Sequence, residues 1–309
     1  RSTAPAQGKV STLQPATDAE IIDWYRKVQR YNGYSVERKT ARRDVQGALP
    51  PVLPDEDKDS VQARMVSLLA GQKGAKALDL QQPAKGDPRP FEVVGIPLSP
   101  GFYVVEIASP LLGAALLDAQ YGASRSMYVR TSALVTNLGV HFKLGRGNAL
   151  AWVTTLDKGQ PVAGARVAVS DCRGKALALA ITDAQGRAQL DGLSPEPPQC
   201  YRDGGGSEGY FISARSAADT AGAAQDMAFV WSDWQRGIEP WRFNVPTDSS
   251  ARPDERAHTV FDRMLVRAGE TVSMKHLLRT ETAKGFGLPA QLPGTLVITH
   301  VGSGQQFEQ

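Results

Sequence analysis

The chain has 309 residues, 41% hydrophobic and 22% charged, and its 35 Lys+Arg against 32 Asp+Glu leave a net charge of +3. This is an ordinary globular balance with length enough for two or three domains, and it gives no case for nucleic acid or an anionic membrane as the main partner. No apolar run approaches the roughly 20 residues of a membrane helix.

Residues 1–12 are small and polar and read as a frayed linker. No initiator Met and no basic n-region with an apolar h-region stand at Arg1, so the chain reads as a piece of a longer protein. Thr17-Asp18-Ala19-Glu20 is a capping box, with Thr17 as N-cap and Glu20 at N3. Ile21, Trp24, Tyr25 and Val28 then fall at i, i+3, i+4 and i+7 and predict one apolar helix face, packed on its own domain. Residues 37–60 read as a loop, in which basic Arg38, Lys39, Arg42 and Arg43 precede Pro50-Pro51 and acidic Asp55-Glu56-Asp57. Adjacent blocks of opposite charge indicate a solvated surface. Val61, Met65, Leu68 and Leu69 return to helical spacing, with Gly71 as the stop. From Phe91 the period becomes two. Segments 91–94 and 102–107 flank Pro97-Leu98-Ser99-Pro100-Gly101 as a hairpin-like unit, and 127–130 supplies a closing strand.

The cleanest pattern runs from about 131 to 235. Seven strand candidates, 134–143, 148–156, 165–171, 176–182, 187–190, 209–215 and 226–231, are separated by Gly-, Pro- and Asp-containing turns. Seven short strands in about 100 residues predict a two-sheet antiparallel sandwich, with Trp152 expected in its core. Cys172 and Cys200 both fall in this segment, 28 positions apart. In an oxidising compartment they would close a loop worth about 3–4 kcal/mol; the residues alone equally allow two unrelated buried thiols. Gly204-Gly205-Gly206-Ser207 reads as a mobile loop, without the helix and Lys-Ser/Thr of a phosphate-binding loop. A third pattern begins near 240. It predicts a strand over 260–267, a tight polar corner at Ala268-Gly269-Glu270, and a second strand from Thr271 to Met274.

That corner carries a resemblance. Asp262, Arg263, Arg267, Gly269, Glu270, Thr271 and Val272 match the spacing of "D-R-x-x-Y-R-P-G-E-T-V", the signature opening a macroglobulin domain of the alpha-2-macroglobulin family. Val266 stands where the family has Tyr, and Ala268 where it has Pro. The string from Pro97 to Glu106 resembles a late strand of such domains. Pro161-Val162-Ala163-Gly164-Ala165-Arg166-Val167, with Thr182-Asp183-Ala184-Gln185-Gly186, is similar to bacterial extracytoplasmic sandwich modules in general. The resemblance implies a mainly β fold of tandem antiparallel seven-stranded β-sandwich (macroglobulin/fibronectin-like) domains, with a few helices in the N-terminal one. The expected division is 1–130, 131–238 and an unfinished 239–309. It also implies a Cys172–Cys200 disulfide and structural roles for Asp262, Arg263, Arg267, Gly269 and Glu270, with Asp262, Arg267 and Glu270 fixing the corner by charge-assisted hydrogen bonds.

The bacterial branch of the family implies a periplasmic parent, lipid-anchored to the inner membrane, that inhibits endoproteases broadly by trapping them after they cut a bait region. This segment would be its scaffold, meeting proteases through regions elsewhere and docking envelope proteins. The family's thioester needs a Cys-x-x-Gln, and neither Cys172-Arg173-Gly174-Lys175 nor Cys200-Tyr201-Arg202-Asp203 supplies the Gln. His141, His258, His276 and His300 show no zinc spacing, and no nucleophile elbow is present. No catalytic, cofactor-binding or metal-binding residue is therefore expected. Two other classes compete: an adhesin-like stalk of tandem sandwiches, and an envelope carbohydrate-binding or enzyme module using Trp231, Trp234 and Trp241. Their irregular spacing near a domain junction favours interdomain packing.

Overall fold

A computed structural model describes residues 9–52, 57–78, 95–117, 125–145, 148–197, 200, 209–217, 225–234, 239–245, 253–267, 269–282, 285–292 and 294–309. The chain divides into two compact units, Arg1–Arg236 and Gly237–Gln309.

Unit 1 starts with β1 (Lys9–Leu13). This strand pairs with both β4 (Lys76–Leu78) and β5 (Gly101–Ser109), and β5 pairs with β6 (Met127–Val135). The antiparallel order is β4-β1-β5-β6. Residues 9–12 are therefore strand, not linker: Val10 is buried between two neighbours, because the Lys-Val-Ser-Thr-Leu alternation suits an inner strand once partners exist.

Helix α1 (Asp18–Arg30) opens on the expected capping box. The Glu20 amide donates to Thr17 Oγ1 at 3.3 Å, while Glu20 Oε2 accepts the Thr17 and Ala16 amides at 3.0 Å each. Ile21, Trp24 and Val28 are buried and Tyr25 is half-buried; Ile22 widens the apolar face.

Two readings of the next stretch are corrected. The basic segment is a short hairpin strand, β2 (Ser35–Glu37), followed by helix α2 (Arg38–Asp44). The 61–69 segment is β3 (Ser60–Gln62), paired with β2, then a single 3-10 turn at Ala63–Met65. All four apolar residues of the helical spacing are buried there. The backbone N–H groups of Leu68 and Leu69, however, go to the Glu106 carboxylate at 2.7 and 3.4 Å instead of to an i−4 carbonyl. A short helix α3 (Pro110–Leu116) after β5, capped by Ser109, has no counterpart in the sequence reading. The expected strand at 91–94 and the Gly204–Ser207 loop lie outside the described residues.

The sandwich follows. Its strands are β7 (Leu138–Leu144), β8 (Asn148–Thr155), β9 (Arg166–Ser170), β10 (Ala176–Ile181), β11 (Arg187–Asp191), β12 (Phe211–Arg215) and β13 (Met227–Trp231). Two antiparallel sheets, β10-β9-β12-β13 and β11-β8-β7, enclose a core that includes Ala151, Val153, Val167, Val169, Leu190 and Ile212. All seven sequence-predicted strands appear. The first is cut, because 134–135 end β6 and Leu138 begins β7 across a turn in which Thr136 Oγ1 accepts the Leu138 amide. Trp152 is not core. Ala149, Ala151 and Val153 hold the inward phase of β8, so Trp152 points the other way and is 42% exposed.

Unit 2 contains a three-stranded antiparallel sheet, β14 (Glu255–Phe261), β15 (Met274–Thr282) and β16 (Gly285–Gly287). A hairpin of β17 (Val297–Thr299) and β18 (Gln306–Glu308) follows. None of its described residues is buried.

Candidate functional site

Three features of the fold gather unusual chemistry: a shared core in unit 1, a buried charge cluster beside it, and the corner of unit 2.

The shared core forms because β13 is apolar on both faces and β12 adds Phe211 to the outer one. Ile212, Ala214 and Ala228 face the sandwich interior, whereas Phe211, Phe229 and Trp231 face outward and are buried under α1 and β5. Strands buried on both sides lose the polar alternation of a solvent-facing sheet. Phe211 lies 4.9 Å from Phe229 and 5.1 Å from Trp231 between ring centroids; Phe102 of β5 meets Phe229 at 5.7 Å and Tyr25 of α1 meets Trp231 at 6.3 Å. At the helix start, Asp18 accepts from Ser213 Oγ at 2.7 Å and from the Arg215 guanidinium at 2.6 Å. The Cys172–Cys200 disulfide, with Cα atoms 6.1 Å apart, sits in this same core. Its turn presses on α1: a Cβ at Gly174 would stand 2.8 Å from the Ala19 Cα. Trp231 and Trp234 thus belong to packing, with Trp234 6.0 Å from Tyr25. Trp241, in unit 2, is largely exposed.

The buried charge cluster was not legible as a motif. Arg130 donates to the carbonyls of Tyr31 (3.2 Å), Ala63 (3.0 Å), Val66 (2.8 Å) and Tyr128 (3.2 Å). Its Nε lies 3.6 Å from Glu106, which also holds Ser67, Leu68 and Leu69. Burial lowers the Arg130 pKa, and Glu106 opposes that shift. Burial raises the Tyr31 phenol above its usual range, with Asp44 adding to the rise. One guanidinium therefore ties the end of α1 and the turn after β3 to the sheet. The only sequence signal was two charges, Glu106 and Arg130, set within apolar strand patterns.

At the corner of unit 2 the strands stop earlier than the sequence reading placed them. β14 ends at Phe261 and β15 starts at Met274, with the Asp262 amide donating to Ser273 O at 3.0 Å. Between them Met264 and Leu265 project outward, 99% and 89% exposed. The turn itself is closed by Glu270. Its amide donates to Arg267 O (3.1 Å), and its carboxylate accepts the Arg267 amide (3.0 Å). Gly269 supplies a φ of +86°. The guanidinium that faces Glu270 is that of Arg263, at 3.8 Å, and Arg263 also lies 3.4 Å from Asp262. Arg267 contributes its backbone to the turn.

The histidines are dispersed. His141 stacks on Trp152 (5.4 Å), His276 bonds Thr259 (2.9 Å), His300 bonds Ser303 (2.8 Å), and His258 lies on β14. Among the described residues no three His, Cys, Asp or Glu side chains are placed to hold a metal ion, and no helix is long and apolar enough to cross a membrane, which leaves β-barrels unaddressed.

The fold defines a class: a mainly β protein of antiparallel sheets that include a seven-stranded sandwich, with helices on its N-terminal part. Residues 135–250, from the end of β6 through β13 and beyond, match the family model of the bacterial alpha-2-macroglobulin MG3 domain. Over this segment the chain is similar to that bacterial domain. The solved structures similar to it include native alpha-2-macroglobulin from Escherichia coli spanning domains MG0-NIE-MG1, at 14% identity and a TM-score of 0.35, covering 73% of this chain. A second, spanning NIE-MG1, shows 15% identity and a TM-score of 0.32, covering 73% of this chain and 84% of that one. The chain spans about half, 54%, of the first. No curated protein matches it.

Proposed function

We propose that this chain is a scaffold segment of a bacterial periplasmic alpha-2-macroglobulin-like protease inhibitor. The parent would trap attacking endopeptidases after they cut a bait region elsewhere in its sequence. The observation that carries this reading is the MG3 match over 135–250, laid on a seven-stranded sandwich. On this reading the chain is not an enzyme, its domains are 1–130, 131–238 and 239–309, and proteases are met by other parts of the parent. The parent would be held at the inner membrane by an anchor outside this segment, and Asp262, Arg263, Arg267, Gly269 and Glu270 would serve to shape a domain corner. The shared core under α1 suits such work, since well-packed modules reorient as rigid bodies when a trap closes.

The test uses the full-length parent, incubated with several unrelated endoproteases, followed by denaturing gels and assays on large and small substrates. The expected result is one discrete early cut, with large-substrate activity lost and small-substrate activity kept. No preferred cut and no inhibition by any protease would remove the inhibitor reading.

A further inference from the structure

We propose that the Cys172–Cys200 disulfide is a redox latch for α1: oxidised, it fixes the surface on which the helix docks, and its reduction by a dithiol loosens α1 from the sandwich. Cys172 follows β9, and Cys200 lies in the crossover from β11 in one sheet to β12 in the other. Both cysteines are buried in the same cluster as Ile21, Trp24 and Val28 of α1. The bond therefore lies inside the interface that it would control.

The turn that carries Cys172 bears on the helix. A Cβ added at Gly174 would stand 2.8 Å from both the Cα and the Cβ of Ala19, so turn and helix already touch. Ala19, Ile22 and Arg26 fall at i, i+3 and i+7 and form one stripe of α1. Arg26 lies within electrostatic reach of Asp171 and Arg173 in that turn. Two thiols need more room than a disulfide, because bonded sulfurs must separate to nonbonded contact, and a close-packed core has little room to spare. β9 is held on both sides by its ladders with β10 and β12, whereas α1 is held to the sandwich by side chains, among them Asp18 on Ser213 and Arg215. The helix is thus the element that gives way. Its 13 residues make it marginal as an isolated helix, so its amides open once it is loosened.

The exchange balances with a dithiol as reductant. A thiolate of the dithiol attacks Sγ of Cys200, the less buried of the pair at 6% exposed against 0% for Cys172. The S–S bond breaks, and Cys172 leaves as a thiolate that takes a proton. The second thiolate of the reductant then attacks its own sulfur in the mixed disulfide and releases Cys200, which is protonated in turn. Two electrons pass to the protein, and the reductant departs as an intramolecular disulfide. Because both cysteines are covered in the docked state, the coupling runs both ways: reduction loosens α1, and loosening α1 admits the reductant.

Hydrogen exchange of the 309-residue chain, with and without dithiothreitol, tests the first direction. Amides from Ile22 to Val28 should exchange about tenfold faster after reduction, while those of β8 and β11, in the other sheet, change little, and reoxidation should restore the original rates. The second direction is read from the rate of reduction by dithiothreitol. Asp18→Ala removes the bonds from α1 to Ser213 and Arg215 and should speed reduction about tenfold. Asp183→Ala, which loosens the turn at the opposite end of β10 from Cys172, should not. Unchanged exchange in α1, or equal acceleration in α1 and β8, overturns the proposal. So does a reduction rate that Asp18→Ala leaves unchanged, or that Asp183→Ala raises as much.

Discussion

Arg130 shows how much one residue can organise. Its guanidinium donates to four backbone carbonyls, Tyr31 at the end of α1, Ala63 and Val66 in the turn after β3, and Tyr128 on β6, and Glu106 balances its charge. Arg130→Met should therefore cost about 3–5 kcal/mol, the loss expected when one partner of a buried pair is removed. Arg130→Lys should recover little, because an ammonium cannot reach that spread of carbonyls. Urea unfolding of both variants checks this, and a loss under 1 kcal/mol for Arg130→Met would contradict the role. Glu20 acts at the surface. Hydrogen bonds from the Thr17 and Ala16 backbone lower its pKa. A carboxylate whose folded pKa is depressed stabilises fully above its unfolded value, about 4.3, and loses that contribution as pH falls through the folded value. The melting temperature of Glu20→Gln should thus lie below that of the native chain at pH 6, with the gap narrowing in more acidic solution. The capping box was legible in four consecutive letters because its partners are local. The Arg130 cluster was not, since its acceptors lie up to 99 positions away.

Elements obey the same division. The seven sandwich strands were legible because each alternates or runs apolar between turn residues, and those turns are built locally. Asp171 Oδ1 accepts the Arg173 and Lys175 amides at 2.8 Å each, and Asp183 Oδ1 repeats the pattern with Gln185 and Arg187 at 2.9 Å. The glycines closing them differ in a way that only packing reveals. Gly174 has φ +85° and touches Ala19, whereas Gly159 has φ +63° with nothing within 4 Å of an added Cβ. Gly159→Ala should cost about 1–2 kcal/mol of left-handed strain. Gly174→Ala should cost more, because the helix must also shift; equal losses would show that the α1 contact carries no energy. Replacing both Cys172 and Cys200 by Ala should lower stability by about 3–4 kcal/mol, read from denaturant midpoints. The 61–69 segment misled because helical spacing of apolar residues records which side chains are buried. It does not record where the backbone N–H groups go, and here a carboxylate 37 or 38 positions away takes two of them.

Over the whole molecule, burial separates the two units. Among the described residues every buried one lies in unit 1, in cores that run from α1 through the sandwich, and none lies in unit 2. Hydrogen exchange should follow: amides of β9 and β12 slow, and amides of β14 to β18 fast throughout, since local stability tracks buried apolar contact. Comparable protection in both units would contradict this. Trp231→Ala should lower the stability of unit 1 by about 3–5 kcal/mol, as truncating a buried aromatic does. The sequence by itself determined the strand count of the sandwich, its turns and the capped helix, because these rest on contacts between near neighbours. Tertiary structure alone decided that Trp152 faces solvent and Trp231 does not, and that the disulfide sits beneath α1. The physical reason is the same in each case. Strand periodicity tells which side chains share a face, but only the packing of distant elements selects which face is covered.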